Sequence, residues 1–544
     1  MRYVLDIETN RAHDKVWMVG WCDEHGKTSW GTSAEDIPKD MTELIGHNVL
    51  HFDLPVLRDV LGWVPEEHVR ITDTLVLARL LNPASEGGNS LKAVAQRAGK
   101  EQKQEFDAED FDAGLTDEMI EYCLQDCRTN WDVYHYLLAE LERLGFGGEC
   151  IELEHQCSAV LRRQEEYGFL FDYNQACDTY AMQQERMNEI EQILQEVFPP
   201  IVTERWSEKT GKQLKDHVEP FNVGSRPQVA KRLATKGAVW EKLTPTGKPV
   251  VDERTLALNE HIPEAKLVLE YMTLQKRSGM IKSWLDAYAE DGRIHGYVNS
   301  CGTVTGRMTH SRPNLAQIPS GAEYRSCFIV PEGKKLVGVD ASGLELRMLA
   351  HYMKDDSFTH EVIDGDIHTA NQKAFGCATR DQAKTLIYAL LYGAGDPKLG
   401  SVVGRGAAAG RALRSNYERA WPGYRDLIRR ITKIAQSGTI PGLDGRRIHV
   451  RSEHSALNSL LQSAGAIVMK KAMMIGIEKA NAYGLRYDIV CNIHDELQIE
   501  CHADDAKRVA ICFRNAIREA GRHFDMRCPL EGDYMIGDNW SMTH

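Results

Sequence analysis

Carboxylates stand at metal-binding spacings in two parts of this 544-residue chain. In YVLDIET, period-2 alternation puts Asp6 and Glu8 on the same side of a strand, where their mutual repulsion calls for a cation. Downstream, His47, Asn48, Phe52 and Asp53 form an HNxxxFD segment, and Tyr122 and Asp126 lie one helical turn apart and so share a face. Four acids that converge offer hard oxygen ligands suited to Mg²⁺, with Mn²⁺ as a substitute. Two such ions activate water and stabilise the leaving oxygen in phosphodiester hydrolysis. Tyr122 is the candidate to orient that water. An isolated DxE is common on surface strands; the ordered triple DxE, NxxxFD, YxxxD gives the pattern its specificity. Asp73, in ITDT, reads as structural.

The second set is spread more widely. KKLVGVDASGLELRMLAH reads as an apolar strand ending at Asp340, then Gly343, then a helix bearing Glu345 and Arg347. YDIVCNIHDELQIE reads as two strands around a tight turn with His494, Asp495 and Glu496. Acids at a hairpin turn ordinarily serve solubility, so this pair gains meaning only if Asp340 and Asp495 meet. Two carboxylates plus a backbone carbonyl then hold two Mg²⁺ ions for in-line displacement at a nucleotide α-phosphate. In the intervening RDQAKTLIYALLYG, Arg380, Lys384, Tyr388 and Tyr392 recur at intervals of four, and a drift of about 40° per step keeps them on one stripe. The cations suit a triphosphate and the tyrosines a sugar and base. An amphipathic core helix is the alternative, and it leaves the stacked cations unexplained. In HSALNSLLQSAGAIVMK, His454, Asn458 and Gln462 form a polar stripe on an apolar helix, suited to sensing a base pair from the minor groove.

These residues need several cores to position them, and a chain of this length with 42% hydrophobic residues supplies two to four domains. Up to about Gly148, short apolar strands alternate with helical stretches such as 116–144, an α/β pattern. From Ile151 to about Ala289 the pattern is mostly helical: Met187, Ile190, Leu194 and Val197 recur at helix spacing, and Pro263 opens a segment running through Trp284. Its Lys266, Lys276, Arg277 and Lys282 fit either a phosphate backbone or a solvated helix face. Residues 201–262 look irregular, and from Gly292 strands and helices mix.

The net charge of −14 does not exclude nucleic acid. Residues 1–150 hold 14 Lys+Arg against 29 Asp+Glu, and the remainder 51 against 50, so the deficit is N-terminal. Thirteen cysteines without a CxxC pair point to reduced thiols rather than zinc or disulfides. No apolar run is read as long enough to span a bilayer and no leader is visible, so a soluble, cytoplasmic protein without a membrane partner is expected.

The ordered triple resembles the DEDD exonuclease superfamily in its tyrosine variant, over roughly residues 1–140. That resemblance implies a 3′→5′ proofreading exonuclease with Asp6, Glu8, Asp53 and Asp126 as ligands of two ions and Tyr122 positioning water. DASGLELR, RxxxKxxxYxxxYG and HDE, in that order, resemble motifs A, B and C of family A DNA polymerases, and TVTGRMTHSRPNLAQIP resembles that family's TxTGR…PNLxxIP signature. The wording DASG and AKTLIYALLYGAG is most similar to the replicative polymerases of T7-like phages.

The resemblance implies a multidomain α/β and α+β chain. An RNase H-like exonuclease domain, 1–148, precedes a right-hand polymerase domain, 149–544, with thumb about 175–290, palm about 291–365 and 440–544, and fingers about 366–439. It implies two catalytic Mg²⁺ ions held by Asp340, Asp495 and the Ala341 carbonyl. Glu345 would be the steric gate against a ribose 2′-OH, Arg380, Lys384 and His368 would bind triphosphate, and Tyr388 would stack at the sugar. Tyr392 would lie near the templating base and Arg307 at the primer terminus. His454, Asn458 and Gln462 would sense the nascent pair, with His454 where the family usually has Arg, and His494 and Glu496 would flank the metals.

Implied partners are primer-template DNA, dNTPs and replisome proteins such as a helicase-primase and a single-strand binding protein, with the chain a monomer in a bacterial host's cytoplasm. The short 151–290 arm implies no thioredoxin requirement and limited processivity alone, and no 5′-nuclease domain fits before Asp6. A single-subunit RNA polymerase is the rival reading, opposed by Glu345 where a small residue is needed. A DNA-binding scaffold without catalysis is the other, opposed by the complete ligand set.

Overall fold

The computed structural model describes residues 1–100, 112 and 114–544 and divides into two compact units. One comprises Met1–Gly168, Gly296–Ala316 and Val330–His544; the other comprises Phe169–His295 and Gln317–Ile329. The chain thus divides at Gly168, and the expected boundary at 148 falls inside the first unit.

The first unit begins with a five-stranded mixed sheet, β1 (Arg2–Thr9), β2 (Val16–Asp23), β3 (Thr28–Gly31), β4 (Glu43–Gly46) and β5 (Arg70–Asp73), in the order β3-β2-β1-β4-β5. β1 pairs antiparallel with β2 and parallel with β4, the mixed order of an RNase H-like sheet. Its apolar residues pack against α1 (Asp117–Leu144), which starts at the Thr116 cap and buries Cys127, Val133, Leu137 and Leu141. α2 (Gly148–Tyr167) follows at once.

Further along, β6 (Lys334–Ala341) has four consecutive buried residues, Leu336–Val339, before Asp340 emerges exposed. Gly343, at φ +59°, supplies the left-handed turn from which α3 (Leu344–Met353) starts. α4 (Arg380–Leu391) is capped by Thr379 with Gln382 in a reciprocal box. α5 (Ala456–Ala482) packs against the helix Ala506–His523, which covers the sheet that β7 (Tyr487–Ile493) and β8 (Glu496–His502) complete with β9 (Gly532–Gly537) in the order β7-β8-β6-β9. The stretch Glu453–Ala482 is long and apolar enough to cross a membrane by length and composition, contrary to the sequence reading, and 67% of its apolar window is buried inside the fold. It is a core helix.

In the second unit the helices Tyr173–Val197 and Pro263–Asp286 bury Met187, Ile190 and Leu194 against Val268 and Tyr271. Residues 201–262 are not irregular: Ile201–Trp206 and Gln213–Glu219 form an antiparallel hairpin, and Arg226–Ala234 and Glu253–Ala257 are helices. Both faces of the hairpin are largely exposed, so no apolar alternation marks it. Lys266, Lys276 and Lys282 are exposed. Arg277 stacks over Tyr324, 5.4 Å from the ring centre, which places it in packing rather than on a free cationic face.

Candidate active site

Strand register brings the central acids together. Asp340 pairs across the sheet with Glu496 on one side and Asp533 on the other, and the Ala341 N–H donates to the Asp495 carbonyl at 3.1 Å. His494, at φ +54°, turns the β7–β8 hairpin tightly enough to present Asp495 beside Asp340. Burial and the charges of Asp495, Glu496 and Asp533 push the Asp340 carboxyl up to about 7. Burial also raises Asp495, offset in part by its own backbone N–H, His494 and Arg307. Carboxylates so arranged repel one another until a cation joins them. The donor set, two acids beside the Ala341 backbone carbonyl, fits a hard divalent ion.

A cavity of about 480 Å³ opens over this pair, lined by Arg307, Ala341, Glu345, Tyr388, Tyr392 and His494 among others. Glu345, in the first turn of α3, accepts from the Tyr392 hydroxyl at 3.0 Å and faces Arg307 Nη2 at 3.5 Å. Tyr388 is half-buried, its hydroxyl raised by burial and by the charges of Glu345 and Asp495. Arg380, Lys384 and His368 gather apart from the cavity, toward the N-terminal end of α4. Arg380 holds Asp366 at 3.0 Å, and burial with the charges of Arg380 and Lys384 lowers His368.

Two expectations need correction here. His454 does not stand on the α5 stripe with Asn458 and Gln462. Ser452 and Ser455 cap each other around a separate 3-10 turn, Glu453–Ser455, and His454 lines a different cavity with Gly393 and Asp396. Glu496 is 6% exposed, and it accepts from Trp540 Nε1 and Gln498 Nε2 and pairs with His544 Nδ1. It flanks Asp340 as expected, but its oxygens fasten Trp540 and His544 of the C-terminal segment and are not open to a substrate.

The N-terminal acids also converge. Asp6 and Glu8 lie on β1, Asp53 opens the helix Asp53–Leu61, and Tyr122 and Asp126 sit one turn apart on α1, with the tyrosine hydroxyl bonded to Asp126. Burial, then Asp126 and Asp53, push Glu8 up to about 8. Asp53 is pushed up to about 7, chiefly by burial, and Asp6 well above the carboxylate range by burial and Asp53. Asp53 Oδ1 is buried without a hydrogen-bond partner. A divalent cation fits this donor set. Asp73 is structural: it caps the helix Thr74–Leu81 and accepts from the Asn48 and Leu50 N–H groups.

Residues 201–542 match the family model described as DNA polymerase family A. A DNA-directed DNA polymerase of Enterobacteria phage T3 is 32% identical over 99% of this chain and 100% of its own length. The chain belongs to DNA polymerase family A. Among other relatives of this family A chain, the DNA-directed DNA polymerase of Escherichia phage T7 is 32% identical over 92% of each chain. The thermostable DNA polymerase I of Thermus thermophilus is 29% identical over 93% of this chain and 59% of its own. The POL domain of Pol1 from M. smegmatis, solved in complex with DNA primer-template and dNTP, shares the fold with a TM-score of 0.82 at 21% identity, over 99% of this chain and 96% of that one.

In this family A chain, sequence reasoning missed a buried charge cluster built from α2, α5 and the loop at Asp444–Arg446. Glu154 on α2 pairs with Lys470 on α5 and with Arg446, whose guanidinium also grips Asp444, and none of the four is more than 4% exposed. Lys470 Nζ donates to the Gly306 carbonyl at 2.8 Å. Gly306 has φ +73°, and a Cβ there would meet Arg446 Nη1 at 2.7 Å, so only glycine lets the loop lie against the cluster. The next residue is Arg307. The cluster therefore seats the loop that aims Arg307 at Glu345.

Proposed function

We propose that this chain adds dNTPs to a primer 3′ end on a DNA template and edits the product with a 3′→5′ exonuclease at the Asp6 cluster, in phage-type replication. One observation supports the synthetic reading above the others: the register that sets Asp340 beside Asp495 in a single cavity with Glu345, Tyr388, Tyr392 and Arg307. Asp340, Asp495 and the Ala341 carbonyl would hold two Mg²⁺ ions, which when bound supply charge stabilisation at the transferring phosphoryl group. Glu345, fixed by Tyr392 and Arg307, presents a carboxylate where a ribose 2′-OH would need room, which favours deoxynucleotides over the RNA polymerase reading. Arg380, Lys384 and His368 would receive the triphosphate, and Tyr388 would pack on the sugar. Arg307 would meet the primer terminus, and Asn458 and Gln462 the nascent pair. His494 turns the hairpin and tempers Asp495.

For editing, Asp6, Glu8, Asp53 and Asp126 would hold the cations and Tyr122 would orient water. Residues 1–148 are thus the proposed exonuclease domain, with the thumb at about 175–290, the fingers at about 366–439 and the palm on either side of the fingers. Work as a monomer with replisome proteins and without thioredoxin belongs to the same proposal.

The test is primer extension with Mg²⁺ on matched and mismatched termini, with dNTPs and then rNTPs. Asp6→Ala/Glu8→Ala is expected to remove mismatches at least about a hundredfold more slowly while extending matched termini normally. Equal mismatch removal by parent and variant would sink the editing assignment, and efficient rNTP extension would sink the deoxynucleotide one.

Tyr388 gives a second expectation. Its hydroxyl can stand in for the hydrogen bond that a dideoxynucleotide cannot make. Tyr388→Phe removes it and should lower dideoxynucleotide use against normal dNTPs by about tenfold, the effect of one lost hydrogen bond. Competition between the two nucleotide types measures this, and an unchanged ratio refutes it.

A further inference from the structure

The N-terminal acid cluster contains a donor of a different chemical kind. Cys123 follows Tyr122 on α1 and lies three residues, about one turn, before Asp126, and its S–H donates to the Asp6 backbone carbonyl at 3.6 Å. That sulfur, one Asp6 oxygen and one Glu8 oxygen all lie within 4.8 Å of one another. A tetrahedral cation with bonds of about 2.0–2.3 Å separates its donors by about 3.3–3.8 Å, so small side-chain adjustments close the three around one ion.

Two further observations point to a ligand at this place. Asp53 is 3% exposed and its Oδ1 has no hydrogen-bond partner, while its charge is the largest neighbouring influence on Asp6. A buried carboxylate oxygen without a hydrogen-bond partner, beside these acids, is the kind of group a cation satisfies. Gly20, which faces Asp6 across the β1–β2 register, makes room for the thiol: a Cβ there would meet Cys123 Sγ at 2.7 Å. Oxygen ligands alone suit hard cations, whereas sulfur favours borderline and soft ones.

We propose that Cys123 is a soft ligand beside Asp6 and Glu8, so that this centre binds a thiophilic divalent transition-metal ion such as Zn²⁺ as well as the hard cations its carboxylates accept. On binding, the S–H bond breaks, the proton passes to the buffer and the sulfur lone pair forms the metal bond. The proposal rests on the editing assignment only for its placement.

The test uses the full-length chain freed of metal and titrated with Co²⁺, whose bond to a thiolate gives a sulfur-to-metal charge-transfer absorption. Parent and Cys127→Ala are expected to show the band. Cys123→Ser and Asp6→Ala/Glu8→Ala are expected to lose it, and Zn²⁺ should displace Co²⁺ from the parent. Zn²⁺ affinity should fall at least about tenfold in Cys123→Ser. Should that variant fail to fold by circular dichroism, Cys123→Ala replaces it. No band in the parent, or a band that survives in either Cys123 variant, overturns the proposal. Mismatch removal with Mg²⁺ is measured alongside: removal without a band refutes the thiol ligand and leaves editing intact. A Cys123-dependent band without removal supports the metal site and refutes editing.

Discussion

Asp495→Asn is expected to lower the rate of nucleotide addition by about a thousandfold or more while the chain remains folded. The amide keeps the side-chain shape, and the Ala341 N–H still has its partner, because that partner is the Asp495 backbone carbonyl. What is lost is one anionic ligand of a proposed two-ion centre. Such a centre contributes several kcal/mol of charge stabilisation, and each factor of ten in rate is about 1.4 kcal/mol. Single-turnover extension of a matched primer measures it, and extension at the parental rate would end the proposed synthetic role of this site.

Stability should move the other way. Asp340 is raised to about 7 from an ordinary 3.8, after burial chiefly by Asp495. A carboxyl raised on folding binds its proton more tightly in the folded state, so without metal its contribution becomes more unfavourable as pH climbs from about 3.8 to about 7. Asp340 is open to the cavity, and solvent screens part of this. Asp495→Asn should therefore raise the melting temperature at pH 7 relative to pH 4, and Mg²⁺ should stabilise the parent more than the variant.

The second large effect is structural. Glu154→Ala is expected to cost about 3–5 kcal/mol, because it leaves Lys470 without a carboxylate partner and Arg446 with only Asp444 in a buried setting. Replacing both partners is milder: Glu154→Gln/Lys470→Met removes the stranded charge and should lose clearly less than the sum of the two single changes. Urea unfolding of the four proteins gives the coupling, and strict additivity would show that the pair does not act as a unit.

Much of the two centres was legible because their signals are local. A strand that ends in Asp340 followed by Gly343, a hairpin turn at His494 and Asp495, and a capped helix from Arg380 each declare themselves within about ten residues. The depth of the Glu154, Arg446 and Lys470 cluster was not legible. In sequence Lys470 is one of two adjacent lysines, and nothing local separates the buried one from Lys471. His454 was misplaced because a 3-10 turn and the first turn of a helix share their spacing nearly enough to pass for one stripe. Cys123 carries no metal signal in the sequence, because a cysteine outside any CxxC pair reads as a reduced thiol. The hairpin at 201–219 escaped because strands exposed on both faces have no apolar period to read.

Because Glu154 lies on α2, beyond the 1–148 span, the two proposed activities are poor candidates for separation by cutting the chain. A fragment starting at Phe169 would discard Glu154 while keeping Lys470 and Arg446, leaving Lys470 without a carboxylate and Arg446 with Asp444 alone in a buried setting. A cut at Gly148 keeps Glu154 but severs the Gly147 N–H from the Gly445 carbonyl, in the same loop as Arg446. A polymerase free of editing is better engineered by silencing Asp6 and Glu8 in the intact chain than by trimming it.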